Sequence, residues 1–271
     1  MKFEGALHKM QVDLESPVKY RLNLGGSSVN LHELLGKRIR LTSLQAIHCI
    51  HCGRETKKSF SQGYCYPCFR SLAQCDICIV SPEKCHYDQG TCREPEWGEE
   101  YCLQDHIIYL SNTSGVKVGI TRQTQVPTRW IDQGAVQALA VLKVSRRYYS
   151  GLIETEFKQF LNDKTNWRSM LKNDFTAVNL LEIFEQTWPK VKTQLDAEIV
   201  NDVEIIASSQ KALDISYPAL QYPQKISSFN LDKNPMVDDK LMAIKGQYLI
   251  FEQGVINIRK YAGYEVTLEI L

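Results

Sequence analysis

The sequence lacks any long apolar run, and this absence excludes several classes of protein. None of its hydrophobic segments approaches the roughly 20 residues that a membrane-spanning helix needs, so we expect no membrane partner. The N-terminal stretch carries acidic residues and no apolar core of signal-peptide length, which predicts a cytoplasmic protein. Internal repeats and low-complexity segments are absent as well. A hydrophobic content of 44% and a charged content of 23% are ordinary for a globular protein of one large or two to three small domains.

The chain also has little net charge, with a formal value of +1. Any affinity for nucleic acid must therefore come from a local patch. Between positions 117 and 172 ten basic residues stand against four acidic ones, which gives +6. This stretch is either a solvated charged face or a surface that binds DNA or RNA phosphates, with aromatic residues interleaved for base stacking. The candidate nucleic-acid-binding residues are Arg122, Trp130, Arg146, Arg147, Lys158 and Arg168.

Cysteine is absent outside one segment, since all nine cysteines lie between Cys49 and Cys102. Without a secretion signal, such clustering favours metal ligands over disulfides. Cys49 and Cys52 form one CxxC pair, and Cys65 and Cys68 form a second pair twelve residues later. Two such pairs on tight turns are typical of a structural zinc site, with a redox or iron–sulfur role as the alternative. Four thiolates leave no open position on the ion, so we expect no catalysis there.

A second group of potential ligands follows the first. It contains Cys75, Cys78, Cys85, His86, Cys92, Cys102 and His106. Seven candidates exceed one tetrahedral shell, and spacing alone does not select four of them. We expect a second zinc site, with Cys75, Cys78, Cys92 and Cys102 as the preferred ligands and with Cys85 and His106 as alternatives.

The fold class expected from these patterns is α+β, in five segments. Residues 1–45 are β-rich, residues 46–106 form a zinc-binding module, residues 107–172 form the functional domain, residues 173–213 are helical, and residues 214–271 are β-rich. The two chain ends are each too short to close a sheet, so we expect them to pack together as a small β-barrel-like domain. Within the functional domain we expect a hairpin over 107–110 and 116–120, a short helix with Arg129, a third strand and an amphipathic helix over 150–164.

Two motifs on the hairpin and one residue on the following helix carry a family resemblance. Ile107-Ile108-Tyr109, then Lys117-Val118-Gly119-Ile120-Thr121, then Arg129 resemble the core of the GIY-YIG nucleases, in the branch whose second motif reads KxGxT. The resemblance implies a GIY-YIG-like α/β domain with the catalytic set Tyr109, Lys117, Arg129 and Glu154. Glu156 is the competing choice for the acidic residue, and Asn166 is a loose counterpart of the family's asparagine.

The resemblance also implies a chemistry. Glu154 would hold a catalytic Mg or Mn ion, Arg129 would bind the phosphate, and nearby cations would lower the pKa of Tyr109 so that it acts as a base or positions water. Lys117 stands where a second tyrosine is usual. Two alternatives stay open, namely a non-catalytic RNA- or DNA-binding protein and a protein-interaction scaffold with structural zinc. Glu154 could also be no more than an ion-pair partner of Lys158.

A second resemblance covers most of the chain. The motifs CYPC, CDIC, PEKCH, GTCREPEWGE, KVGITR, PTRWIDQGA and DKTNWR are similar to those of a bacterial family of unknown function that combines a zinc ribbon with a nuclease-type domain. This likeness implies the order of the segments and no activity.

Overall fold

A computed structural model describes residues 1–161 and 166–271 of the protein. The end of the amphipathic helix expected over 150–164 and part of the DKTNWR motif fall on residues 162–165, outside the described residues. The strands are β1 (Lys2–Ala6), β2 (Gln11–Asp13), β3 (Lys19–Leu24), β4 (Ser27–Asn30), β5 (Arg38–Ile47), β6 (His106–Asn112), β7 (Val116–Arg122), β8 (Gln137–Val144), β9 (Glu204–Ile205), β10 (Leu213–Asp214), β11 (Met236–Lys245), β12 (Tyr248–Phe251), β13 (Val255–Asn257) and β14 (Tyr264–Ile270). The helices are α1 (Tyr66–Ser71), α2 (Pro95–Tyr101), α3 (Thr128–Asp132), α4 (Arg147–Phe157), α5 (Trp167–Leu171), α6 (Leu180–Lys192) and α7 (Ala197–Asp202).

The architecture is mixed α+β, with three antiparallel sheets. One sheet runs in the order β1-β14-β5-β11-β12-β13 and therefore combines strands from both chain ends. Phe3 of the first strand pairs with Leu268 of the last. The barrel-like closure expected from the sequence is not found among the described strands, because β1 and β13 are the two edges of this sheet and do not pair with each other. The strands β2, β3 and β4 lie between β1 and β5 in the sequence and form a small sheet of their own.

The third sheet carries the hairpin and has the order β10-β8-β6-β7, with β9 also paired to β8. All seven residues of β6 are buried, because the strand lies between two neighbours and has a core on each face. Ile108 and Leu110 pack into a core with helices α4 and α6. Tyr109 points to the opposite face and joins the largest core, which contains Leu22 and Leu241 from the two chain ends. Because successive side chains of β6 point to opposite faces of the sheet, the hairpin packs against both of these cores.

Helix α4 begins at Arg147, three residues before the start expected from the sequence, and ends at Phe157. Its Ile153 and Phe157 are fully buried against the sheet. Ser150 lies inside the helix, and its hydroxyl donates to the Arg147 carbonyl. None of the described helices is long and apolar enough to cross a membrane.

Candidate functional site

Tyr109 and Gly119 face each other across the hairpin, and this pairing explains why the second motif needs glycine. The two residues are direct partners in the register of β6 and β7. A Cβ atom on Gly119 would lie 2.6 Å from both Cζ and the hydroxyl oxygen of Tyr109. The tyrosine ring therefore lies across the backbone of the neighbouring strand, in space that a side chain would occupy. Gly119 gives Tyr109 its position.

The hydroxyl of Tyr109 is held from helix α3. It donates to Oε1 of Gln133 at 3.1 Å, and the Arg129 side chain also contributes a hydrogen bond to it. Burial raises the pKa of Tyr109 to about 12, and the lowering by the Arg129 charge is smaller. The expectation that nearby cations lower this pKa is therefore wrong, because desolvation outweighs them. At neutral pH Tyr109 therefore keeps its proton and donates a hydrogen bond.

Lys117 lies two residues before Gly119 and is buried, with 7% of the residue exposed. Its pKa is lowered to about 8, mainly by burial and also by the Arg129 charge, while the Glu154 carboxylate opposes the shift. Lys117 has no ion-pair partner within 1–161 and 166–271. An amine with a pKa near 8 can accept a proton at physiological pH, which an ordinary lysine cannot do.

Glu154 lies on helix α4, and its charge acts on Lys117. Its side chain is only 15% exposed, and Lys158 Nζ lies 3.2 Å from Oε2. Burial raises the pKa of Glu154, while the charges of Lys158, Arg129 and Arg147 lower it. The ion pair with Lys158 exists, and the charge of Glu154 also raises the pKa values of Tyr109 and Lys117. The other candidate, Glu156, accepts instead from its neighbour Gln159.

Two further arginines lie close to Arg129. Arg147, at the start of α4, donates from its guanidinium to the Ile79 carbonyl at 2.6 Å. Arg259 comes from the C-terminal part of the chain, and its pKa is lowered by burial and by the Arg129 charge. Arg259 could not be predicted from the sequence, because nothing in its local pattern links it to a hairpin more than a hundred positions away. The site thus collects several cations around one carboxylate.

The remaining nucleic-acid candidates are more scattered. Trp130 is buried against the Tyr109 ring at a centroid distance of 5.8 Å, so it serves the core and is not free to stack on a base. The others have neighbours of their own: Arg122 lies over the Tyr101 ring, Arg146 pairs with Asp88 at 2.7 Å, and Arg168 lies over the Trp167 ring. Asn166 caps α5 by accepting from the Ser169 backbone N–H.

The first cysteine set forms a compact cluster. The sulfur atoms of Cys49, Cys52, Cys65 and Cys68 all lie within 4.8 Å of one another, and those of Cys52 and Cys65 are 3.7 Å apart. A tetrahedral zinc site with bonds of about 2.3 Å requires sulfur separations of about 3.8 Å. Burial opposes ionisation of Cys49, but backbone N–H groups of neighbouring residues lower its pKa to about 6. The cluster could bind a metal such as zinc.

The second group of potential ligands does not meet at one place, and Cys75 lies apart from the other three preferred cysteines. Cys75 packs beside the first cluster, against Cys49 and Leu72. Cys78, Cys85, Cys92 and Cys102 line a separate small cavity together with His86 and Asp76. His106 is fully buried but does not line that cavity, and its Nδ1 hydrogen-bonds the Gln104 carbonyl at 2.7 Å.

The fold and the cysteine cluster define a mixed α+β protein with a four-cysteine site suited to a metal. Residues 36–266 match the family described as protein of unknown function (DUF2797). Because the match covers most of the chain, the protein belongs to this family. Comparisons with curated proteins and with solved structures give no significant match.

Proposed function

We propose that this protein binds nucleic acid and cleaves phosphodiester bonds with a divalent metal, as a GIY-YIG-like endonuclease. One observation carries the proposal. Lys117 and Tyr109 lie on the same face of the hairpin, the Arg129 charge acts on both groups, and neither cation has a carboxylate ion pair among the residues described. Lys117 is buried and Arg129 is partly buried, and cations that have no ion-pair partner of their own are suited to an anionic ligand.

Phosphate binding follows from the type and arrangement of these cations. The Arg129 guanidinium offers paired N–H donors that match two phosphate oxygens, and Lys117 adds a compact second charge. Arg147 and Arg259 add positive charge that interacts electrostatically with Arg129. A polyanion would therefore bind here although the net charge of the chain is only +1.

Proton transfer is assigned to Lys117. With a pKa of about 8, its amine is the group in the cluster best matched to accept a proton from an attacking water. About one tenth of the amine is neutral at pH 7 and half at pH 8. Tyr109, whose raised pKa keeps its proton in place, would orient the water or the phosphate by hydrogen bonding. This division of roles gives a physical reason for a lysine where the related nucleases carry a tyrosine.

Two kinds of metal belong to the proposal. Glu154 presents a half-buried carboxylate to the cluster, and one carboxylate together with substrate phosphate oxygens is a common way of holding Mg²⁺ or Mn²⁺. Such an ion, when bound, supplies Lewis-acid stabilisation of the developing negative charge. Zinc in the Cys49, Cys52, Cys65 and Cys68 cluster would be structural, since four thiolates close its coordination shell.

A non-catalytic nucleic-acid-binding protein is the second candidate, and one observation favours it. Tyr109 is fully buried, and its hydroxyl is already used by Gln133. If that hydroxyl never meets substrate, the same cations would bind phosphate without promoting its hydrolysis.

The test is a panel of labelled DNA and RNA oligonucleotides incubated with Mg²⁺ or Mn²⁺. Wild type should cleave at least one substrate, at a rate that rises roughly fivefold between pH 7 and pH 8 as Lys117 loses its proton. Lys117→Arg keeps the positive charge and removes the proton acceptor, so binding should persist while cleavage falls at least tenfold. Glu154→Gln should abolish cleavage with either ion.

Each result of this panel selects one candidate. Binding without cleavage by any protein in the panel selects the non-catalytic candidate. Cleavage that survives Glu154→Gln unchanged would remove Glu154 as the metal ligand. Thermal unfolding of each variant is the control for a lost fold.

A further inference from the structure

A second cavity in the cysteine-rich segment has the size of a single ion. Its volume is about 20 Å³, which is room for one water molecule or one metal ion but not for an organic ligand. Its walls carry the side chains of four cysteines together with an aspartate, a histidine and two aromatic residues, namely Cys78, Cys85, Cys92, Cys102, Asp76, His86, Tyr87 and Trp97.

The four cysteines come from three short elements. Cys78 lies in the turn Ile77–Ile79, and Cys85 follows the turn Pro82–Lys84. Cys92 precedes α2, and Cys102 ends that helix. The sulfurs of these four cysteines do not meet the mutual spacing of 4.8 Å that the first cluster shows; among the described residues at this cavity, Asp76, Cys78 and His86 meet it. No disulfide joins any of the four cysteines.

Little else holds this part of the chain together. Between α1 and β6 the described chain has one helix of seven residues and four short 3₁₀ turns. Ile77 and Val80 are largely exposed, at 55% and 76%. A segment of this kind cannot bury enough apolar surface to fold on hydrophobic packing alone, so the binding energy of a metal is the natural source of its stability.

We propose that this cavity is a second metal site, in which the thiolates of Cys78, Cys85, Cys92 and Cys102 bind one zinc ion. The set takes Cys85 in place of Cys75, which packs against the first cluster. Four thiolates and Zn²⁺ leave a charge of −2, and the Arg147 guanidinium lies near Cys78 and Cys102, where it offsets part of that charge.

Two polar groups at the cavity wall are partly engaged elsewhere. Asp76 pairs with Arg93 at 2.5 Å, and His86 Nδ1 hydrogen-bonds the Thr91 hydroxyl at 2.8 Å. One potential ligand atom of each of Asp76 and His86 lies within 4.8 Å of the Cys78 sulfur. They therefore support Cys78 in the proposed site, and a ligand set of Asp76, Cys78 and His86 is the competing arrangement that the test must separate.

The proposed ion also holds the start of helix α4. The Arg147 backbone N–H donates to the Cys102 carbonyl at 2.8 Å, and its guanidinium binds the carbonyl of Ile79, next to Cys78. The turn before Cys85 lies directly on the helix, since a Cβ on Gly151 would be 2.6 Å from Cβ of Pro82. The ligand-bearing turns are thus in contact with the helix that carries Glu154.

The test is the zinc content of the full chain, expressed in zinc-supplemented medium and dialysed against a competing chelator. Wild type should retain two zinc ions per chain. Cys85→Ser should retain one, whereas Cys75→Ser, its matched control, should retain two. Amide hydrogen exchange should become faster at residues 147–151 in Cys85→Ser and stay unchanged in Cys75→Ser.

Several results would overturn the proposal. A zinc content of one ion per wild-type chain would show that there is no second site. Loss of zinc in Cys75→Ser but not in Cys85→Ser would show that Cys75, and not Cys85, is the ligand. Loss in His86→Gln would favour the arrangement with Asp76 and Cys78. If Cys85→Ser does not fold, stepwise blocking of wild-type thiols with a mercurial reagent still counts the zinc ions. None of these measurements depends on nuclease activity, so they are independent of the proposed function.

Discussion

Replacing Gly119 with alanine tests whether Tyr109 is held across the hairpin as described. Gly119 does not have a positive φ, so alanine is conformationally allowed. If only the chain entropy of the unfolded state mattered, Gly119→Ala would stabilise the protein by about 0.4–1 kcal/mol. The structure predicts the opposite sign, because the new methyl group would lie 2.6 Å from Cζ and the hydroxyl of Tyr109.

The magnitude follows from two costs. Tyr109 is fully buried and packs against Trp130, so its ring cannot move away freely, and overpacking of this kind costs about 1–3 kcal/mol. Displacing the ring also breaks the 3.1 Å hydrogen bond to Gln133, which adds about 1 kcal/mol. We expect a net loss of roughly 2 kcal/mol in the free energy of unfolding, measured by chemical denaturation.

A double-mutant cycle provides the control. In a Tyr109→Ala background the obstructing ring is gone, so Gly119→Ala should become neutral or stabilising, and the coupling between the two positions should exceed about 1 kcal/mol. An equal effect of Gly119→Ala in both backgrounds would refute the steric account of the motif.

Three further changes test other contacts. Gly151→Ala places a methyl group 2.6 Å from Cβ of Pro82 and should destabilise the protein, although alanine is favoured over glycine in a helix by about 1 kcal/mol; thermal unfolding gives the sign. Tyr109→Phe removes the hydroxyl held by Gln133 and should cost about 1 kcal/mol while lowering cleavage at least tenfold at unchanged oligonucleotide affinity; equal cleavage would remove Tyr109 from the reaction. Cys49→Ser should lose the first zinc ion in metal analysis and speed hydrogen exchange in α1, whereas retention of that ion would contradict the four-thiolate cluster.

The parts of the fold that sequence predicts well are those with short-range causes. The hairpin follows from two apolar runs around a Ser/Gly turn, and the structure extends both strands by only one to three residues, to His106–Asn112 and Val116–Arg122. The CxxC pairs are likewise local, and the four sulfurs of Cys49, Cys52, Cys65 and Cys68 do converge.

Features that depend on contacts between distant parts of the chain could not be predicted from the sequence. Whether strands from the two chain ends form a barrel or an open sheet depends on which strands become edges, and β13, only three residues long, becomes one of them. The approach of Arg259 to Arg129 depends on the same packing. The sign of the pKa shift of Tyr109 could not be read from its charged neighbours, because it is decided by complete burial.

The central claim is that Lys117 and Arg129 form a phosphate-binding site, and the salt dependence of oligonucleotide binding tests it most directly. Affinity is measured in the presence of EDTA, so that no cleavage occurs, for wild type, Arg129→Gln and the matched control Arg21→Gln, whose arginine pairs with Asp13 in the small sheet. Wild-type affinity should fall steeply with salt, and Arg129→Gln should weaken binding and reduce the slope by about one, with no change in Arg21→Gln. Affinity independent of salt, or equal slopes for wild type and Arg129→Gln, would contradict the claim.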